Sequence, residues 1–118
     1  MLEAIRMKYI ISIIQPSKLE QVHESLKSAG ILGMTVSEVQ GYGKQMGKSE
    51  TYRGAEYTVN FVPKTKIEVA VDDDAAEAAV NAIKAAAETG RIGDGKIFTL
   101  DLNDAMRIRT GETGSGAL

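Results

Sequence analysis

The run from Lys8 to Ile14, KYIISII, is apolar at nearly every position and carries four isoleucines. A strand with one wet face alternates apolar and polar residues, whereas an unbroken run of this kind belongs to a central strand covered on both faces. That demand constrains the rest of the fold. A chain of 118 residues has material for one compact domain with a modest core. Two helical patterns follow the run, and two helices cover only one side of a sheet. The other side needs cover from outside, so a homo-oligomer is expected, with the number of copies left open by the pattern.

Pro16 ends this strand. Ser17 and Glu20 have the spacing of a capping box, and Leu19, Val22, Leu26 and Ala29 then recur at helical intervals until Gly30. Gly33 to Gln40 (GMTVSEVQ) reads as a second strand. The polar stretch GYGKQMGKSETYRGAEY comes next, with four glycines and no apolar period, and is expected to form a long loop without secondary structure of its own. A third strand runs from about Thr58 to Val71, where Ile67, Val69 and Val71 alternate with Glu68 and Ala70. Pro63 within it marks an edge, bend or bulge. Asp74 and Glu77 signal a second helix, with Ala76, Ala79, Val80, Ile83 and Ala87 as its buried stripe and Gly90 as its C-terminal cap. Lys96 to Leu102 (KIFTLDL) reads as a fourth strand, Arg107-Ile108-Arg109 as a short last extension, and GETGSGAL as a flexible tail. The order βαββαβ predicts an α+β, ferredoxin-like sandwich with both helices on one face.

Several function classes drop out. The chain has no cysteine and one histidine, His23, which excludes disulfides, zinc-thiolate sites, cysteine nucleophiles and histidine metal clusters. No apolar run approaches the roughly 20 residues that span a bilayer, and the N-terminus lacks the apolar segment of a secretory signal, so a cytoplasmic location is expected. A net charge of −2 with interspersed signs gives no broad attraction to nucleic acid. Any anion must be held by a local cluster.

The residues GRIGDGK, Gly90 to Lys96, match the phosphate-loop pattern G-x-x-x-x-G-K. A P-loop, however, follows a strand and opens a helix, whose N-terminus supplies amides to the phosphates. Here a helix precedes and a strand follows, and Ile97 stands where Ser or Thr would hold magnesium. A different phosphate cradle or a simple turn remains. Lys96, Arg107 and Arg109 place three cations on or beside the last strands, and glycines allow close approach of backbone amides to an anion, a combination suited to a polyphosphate. In the long loop Tyr52, Arg53 and Tyr57 are anchors of the type that dominate interfaces, and Lys44, Gln45 and Lys48 lie near its base. A disordered insertion is the alternative reading of the same stretch.

The segments YRGAEY (Tyr52 to Tyr57), FVPKTKIEV, TGRIGDGKIF and RIRTGE occur in the order found in the PII family of nitrogen-signalling proteins, which the chain resembles from about Met7 to Leu118. The resemblance implies an N-terminal extension at 1–6, a PII domain at 7–112 with a T-loop at 41–58 and a B-loop at 88–96, and a flexible tail at 113–118. It implies a cytoplasmic homotrimer that is not an enzyme and has no catalytic cofactor, with ATP and ADP competing for clefts between neighbours. Binding of 2-oxoglutarate together with Mg2+ and ATP reports nitrogen status, and the T-loop docks on an ammonium transporter, on enzymes that modify glutamine synthetase, or on N-acetylglutamate kinase. The transporter would recruit the protein to the membrane without insertion. Carried over by position, Gly93, Asp94, Gly95 and Lys96 wrap the phosphates, Arg107 and Arg109 approach them, and Gly33, Met34, Thr35, Gly41, Gly43, Lys44 and Gln45 complete the nucleotide contacts. Gln45 would ligate magnesium beside 2-oxoglutarate, Lys64 would pair with its carboxylate, and Tyr57 would be the target of a uridylyltransferase, with Ala55 at a position phosphorylated as serine in some relatives.

Three residues depart from the family pattern. Gln15 stands where relatives commonly have lysine or arginine, which removes a positive partner for 2-oxoglutarate; Lys44 replaces a common arginine and Met46 a common lysine. An adenine-nucleotide energy sensor with a weak or altered 2-oxoglutarate response is therefore the alternative function. A small ATP-dependent phosphotransferase is disfavoured because no carboxylate pair or histidine-centred constellation is present, leaving at most slow incidental hydrolysis beside Asp94. An RNA-binding ferredoxin-like module would display stacking aromatics on central strands, yet Tyr42, Tyr52 and Tyr57 fall in or beside the long loop.

Overall fold

The computed structural model describes residues 6–42, 49–52, 55–58 and 61–118, the segments 49–52 and 55–58 by their backbone alone. The elements are β1 (Met7–Ile14), α1 (Leu19–Ser28), β2 (Thr35–Gly41), β3 (Ser49–Tyr52), β4 (Ala55–Thr58), β5 (Val62–Asp72), α2 (Asp73–Ala87) and β6 (Gly95–Leu102). Four strands form an antiparallel sheet in the order β2, β5, β1, β6, and β3 pairs with β4 as a separate hairpin. Set aside the hairpin and the order is βαββαβ, the expected ferredoxin-like arrangement.

The two faces of β1 explain its unbroken apolar run. Ile10, Ser12 and Ile14 lie on the helix side, no more than 1% exposed. They meet Val69, Ile67 and Thr65 of β5 across the ladder. Val22 and Leu26 of α1 and Ala79, Ile83 and Ala87 of α2 close over them into one core. The small alanines let α2 sit close, and the Ser25 hydroxyl donates to the Ala82 carbonyl at 2.8 Å to join the helices. Ser12, the polar residue in the run, donates to the Ile67 carbonyl at 3.5 Å, so its burial leaves no orphan donor.

Tyr9, Ile11 and Ile13 point the other way and are only half-buried. In register, Tyr9 is paired with Leu100 and Ile11 with Phe98, residues that stay 46% and 48% exposed. Beside them the Tyr9 hydroxyl donates to the Glu68 carboxylate. This bond raises the phenol above its ordinary range and lowers the carboxyl below its own. The β1–β6 part of the helix-free face is thus apolar, and β5 brings Glu68, held by Tyr9 and paired with Lys66 at 3.6 Å, onto the same face.

Local departures from the sequence reading have local causes. Pro16 starts a 3-10 turn at Pro16–Lys18, so α1 opens at Leu19 with Lys18 at its N-cap and the Ser17–Glu20 box is not made. The second helix opens two residues earlier than the Asp74–Glu77 box implied, after Asp72 in extended conformation, and ends on Glu88; Gly90 lies two residues further on in the loop with φ +81°. The long loop does carry secondary structure, the β3–β4 hairpin, in which Tyr52 faces Ala55 and Ser49 faces Thr58. Thr58 accordingly closes that hairpin, and the next strand begins at Val62. Pro63 sits in an inner strand but beyond Thr65, the last β5 residue paired with β1, so one flank there carries no ladder partner. Arg107-Ile108-Arg109 is not a strand. Gly111 donates to the Arg107 carbonyl at 2.7 Å in a turn, Met106 bridges to Thr113, and Gly114–Ala117 coils into a 3-10 turn where a flexible tail was expected.

Candidate functional site

Strand directions decide which site residues meet. β1 and β2 run one way, β5 and β6 the other, so the ends of β1 and β2 and the starts of β5 and β6 share one edge. A cleft of about 470 Å³ opens there, lined by Gly41, Lys64, Gly93, Gly95 and Lys96 over apolar Ile13, Val62, Ile92, Phe98 and Tyr42. Tyr42 packs against Phe61 with ring centroids 6.1 Å apart, which closes the stem of the long loop beside the cleft.

The loop between α2 and β6 is built around Asp94. Its Oδ2 accepts the amides of Thr89 and Gly90 at 2.7 and 2.9 Å, and its Oδ1 accepts the Thr89 hydroxyl and, at 3.3 Å, the Gln15 amide. The carboxylate therefore turns inward on its own loop. Gly93 and Gly95, at φ +104° and +105°, then carry the backbone past it in a conformation other residues rarely adopt. Lys64 reaches from β5 to donate to the Gly93 carbonyl at 2.7 Å. Lys64 and Lys96 bring two ammonium groups to a glycine-bordered, apolar-floored cleft, a setting for an anion with a flat or apolar remainder.

Hydrogen bonds from the Thr89 hydroxyl first, then from the Thr89 and Gly90 amides, hold the Asp94 carboxyl below the usual carboxylate range. A carboxyl lowered on folding contributes stability that is complete above its unfolded pKa and is lost as pH falls through the folded one. Protection of the Thr89 and Gly90 amides, measured relative to their intrinsic exchange at each pH, is expected to hold down to the ordinary carboxylate range and to fall only below it. Loss of that protection already near neutral pH would contradict this role for Asp94.

Other site residues stand elsewhere. Lys96 and Leu102 are six positions apart on β6, roughly 20 Å of extended chain, and Arg107 and Arg109 lie beyond Leu102. The cleft takes in Lys96 and neither arginine, so the three cations do not line it together. Arg107 instead donates to the Leu118 carbonyl at 3.1 Å. Gly33, Met34 and Thr35 stand at the start of β2, likewise roughly 20 Å from Gly41 at its end. Gly43, Lys44 and Gln45 lie outside the described residues, as do Met46, Lys48 and Arg53; Tyr57 is placed by backbone alone, on β4 opposite Glu50. Among the described residues no group of three or more acidic, histidine or cysteine side chains could hold a metal, and no helix is long and apolar enough to cross a membrane.

The glycine-rich loop between α2 and β6, the lysine-bearing cleft and the hairpin inserted between β2 and β5 now have a family context. A family model described as "Nitrogen regulatory protein P-II" matches residues 7–112. The chain belongs to the P-II family. It is 57% identical over 112 residues to a nitrogen regulatory protein P-II of Mesorhizobium japonicum, covering 95% of this chain and 100% of that one. The nitrogen regulatory protein GlnK of Escherichia coli K12 is 54% identical over the same shares. Among solved structures, Arabidopsis thaliana PII bound to citrate superposes with a TM-score of 0.79 at 37% identity, covering 97% of this chain and 91% of that one. Membership makes this a nitrogen-regulatory signalling protein. Two features of its P-II loop escaped the sequence reading: Thr89 as the chief partner of Asp94, and Gln15 as a donor to it. The Thr-Gly start of TGRIGDG, five residues before the aspartate, carried the first signal; the second needed the strand register.

Proposed function

We propose that this P-II protein is a homotrimeric sensor of ATP, ADP and 2-oxoglutarate that regulates nitrogen-metabolism targets through its T-loop, residues 41–58. The carrying observation is the division of the site. Lys64, Lys96 and Gly93 and Gly95 of the B-loop, residues 88–96, line the cleft at one edge of the sheet, whereas Arg107, Arg109 and the Gly33–Thr35 segment do not. Each set is half of a polyphosphate site, and a neighbouring copy that presents its Arg107 end to the Lys96 end completes one. Burial of Tyr9, Ile11, Phe98 and Leu100 against other copies supplies the driving force for such packing.

Two ammonium groups and glycine amides suit the phosphates, and magnesium arrives with the nucleotide. That ion keeps several waters and needs few protein ligands, so the absence of a carboxylate cluster among the described residues is compatible with it. Gln45 is its proposed protein ligand and Lys64 the proposed partner of the 2-oxoglutarate carboxylate, on exchanging its bond to Gly93. Ligands that favour different T-loop conformations shift target binding by their differential affinity alone, so regulation needs no turnover beyond slow incidental hydrolysis. Tyr57 is the proposed uridylylation site; an added anion there would oppose docking on a transporter, a glutamine-synthetase-modifying enzyme or N-acetylglutamate kinase.

One observation favours the energy-sensor alternative. Gln15 is neutral and its amide is engaged by Asp94, so it brings no charge to a dicarboxylate. Calorimetric titration of 2-oxoglutarate with magnesium-ATP, with ADP and without nucleotide separates the two. Heat with magnesium-ATP alone is the expected result. Nucleotide binding with no response to 2-oxoglutarate would remove the nitrogen half of the proposal.

A further inference from the structure

Gln15 stands one residue past β1, and the ladder decides what it faces. Ile14 is paired with Gly95, so the next antiparallel position sets Gln15 against Asp94. The side chains complete that pairing, with Gln15 Nε2 donating to Asp94 Oδ1 at 3.3 Å. A carboxylate only accepts, so the amide must present its NH2 end. Pro16 restricts the residue before it to extended backbone, and Gln15 is found at φ −67° and ψ 136°, which gives the donor a fixed origin. Gln15 does not line the cleft, whereas the neighbours of Asp94, Gly93 and Gly95, do.

We infer that Gln15 is a positioning residue: through Asp94 it pins the 89–94 loop to the end of β1 and so sets where Gly93, Gly95 and Lys96 meet an anion. The inference rests on reading the cleft as the nucleotide site. All four donors to Asp94 are uncharged, from Thr89 twice, Gly90 and Gln15. The tether thus anchors the carboxylate without an ion pair and depends less on salt than an ion pair would.

The test compares wild type, Gln15→Leu and Gln15→Lys in the full chain by amide exchange at Thr89 and Gly90, by ATP titration and by thermal midpoint. Loss of one hydrogen bond to a charged group predicts exchange about tenfold faster and ATP binding about tenfold weaker in Gln15→Leu. Its thermal midpoint is expected to fall by only several degrees, as the loss of one such bond requires, and Gln15→Lys, which restores a donor, is expected to recover both values. In an Asp94→Ala background, which leaves no acceptor for the Gln15 amide, Gln15→Leu should add little, because the two act through one contact. Exchange and affinity within twofold of wild type in Gln15→Leu, or full additivity with Asp94→Ala, would overturn the inference. A wild-type chain that takes up no ATP would overturn the nucleotide reading alone, and the exchange rates would still decide the tether.

Discussion

Gly95→Ala is expected to remove much of the domain's stability. A Cβ built on Gly95 falls 1.7 Å from the Ile13 carbonyl oxygen and 2.8 Å from its carbon, with φ at +105°. The obstacle is backbone, so no rotamer relieves it; β1 and β6 must part where Ile14 meets Gly95. A forced separation at the end of the β1–β6 ladder, with backbone against backbone, belongs to the severe class of single substitutions, roughly 3–5 kcal/mol, against a total of about 5–15 kcal/mol for a typical domain. Gly90→Ala is the matched control. It shares a positive φ of +81° but has nothing within 4 Å of its added methyl group. Only the left-handed backbone is penalised there, about 1–2 kcal/mol. Urea denaturation of both variants checks the difference. Equal losses would mean that the Ile13 collision is absorbed by the loop and that the glycine serves conformation alone.

The sequence reading succeeded where periodicity is long and local. KYIISII, the Val22–Leu26 stripe and the Ala79–Ile83–Ala87 stripe each report their burial through spacing, and together they fix the βαββαβ order with its one-sided helix layer. The hairpin escaped because strands of four residues, SETY and AEYT, are too short to show an apolar alternation. Capping chemistry misled at Ser17, where the Pro16 turn took the position that a capping box would have used. The phosphate-loop motif was legible as something other than a P-loop from the order of helix and strand alone. What stayed hidden was long-range: the Gln15–Asp94 pair depends on the β1–β6 register, and the separation of Lys96 from Arg107 depends on the length and direction of β6.

That separation yields the second large effect. Lys96→Ala and Arg107→Ala are each expected to weaken ATP binding, since a hydrogen bond to a charged group contributes roughly 1.5–3 kcal/mol, or about 10–150-fold. For Arg107 the contact requires release from the Leu118 carbonyl, which it holds at 3.1 Å in the isolated subunit. In a ring closed by one repeated head-to-tail contact, each site takes its Lys96 end from one copy and its Arg107 end from the next. When the two variants are unfolded together in equal amounts and refolded, half of the Lys96 ends and half of the Arg107 ends are native. Random pairing then makes about a quarter of the sites intact, a consequence of the heterologous contact alone. If a single subunit supplied both ends, every site would carry one lesion and none would recover. Calorimetric counting of tight sites in the mixture separates the two arrangements. Recovery near a quarter fits a site shared between copies, and no recovery in well-formed mixed oligomers would require one chain to bring Lys96 and Arg107 together by a rearrangement of everything beyond Leu102.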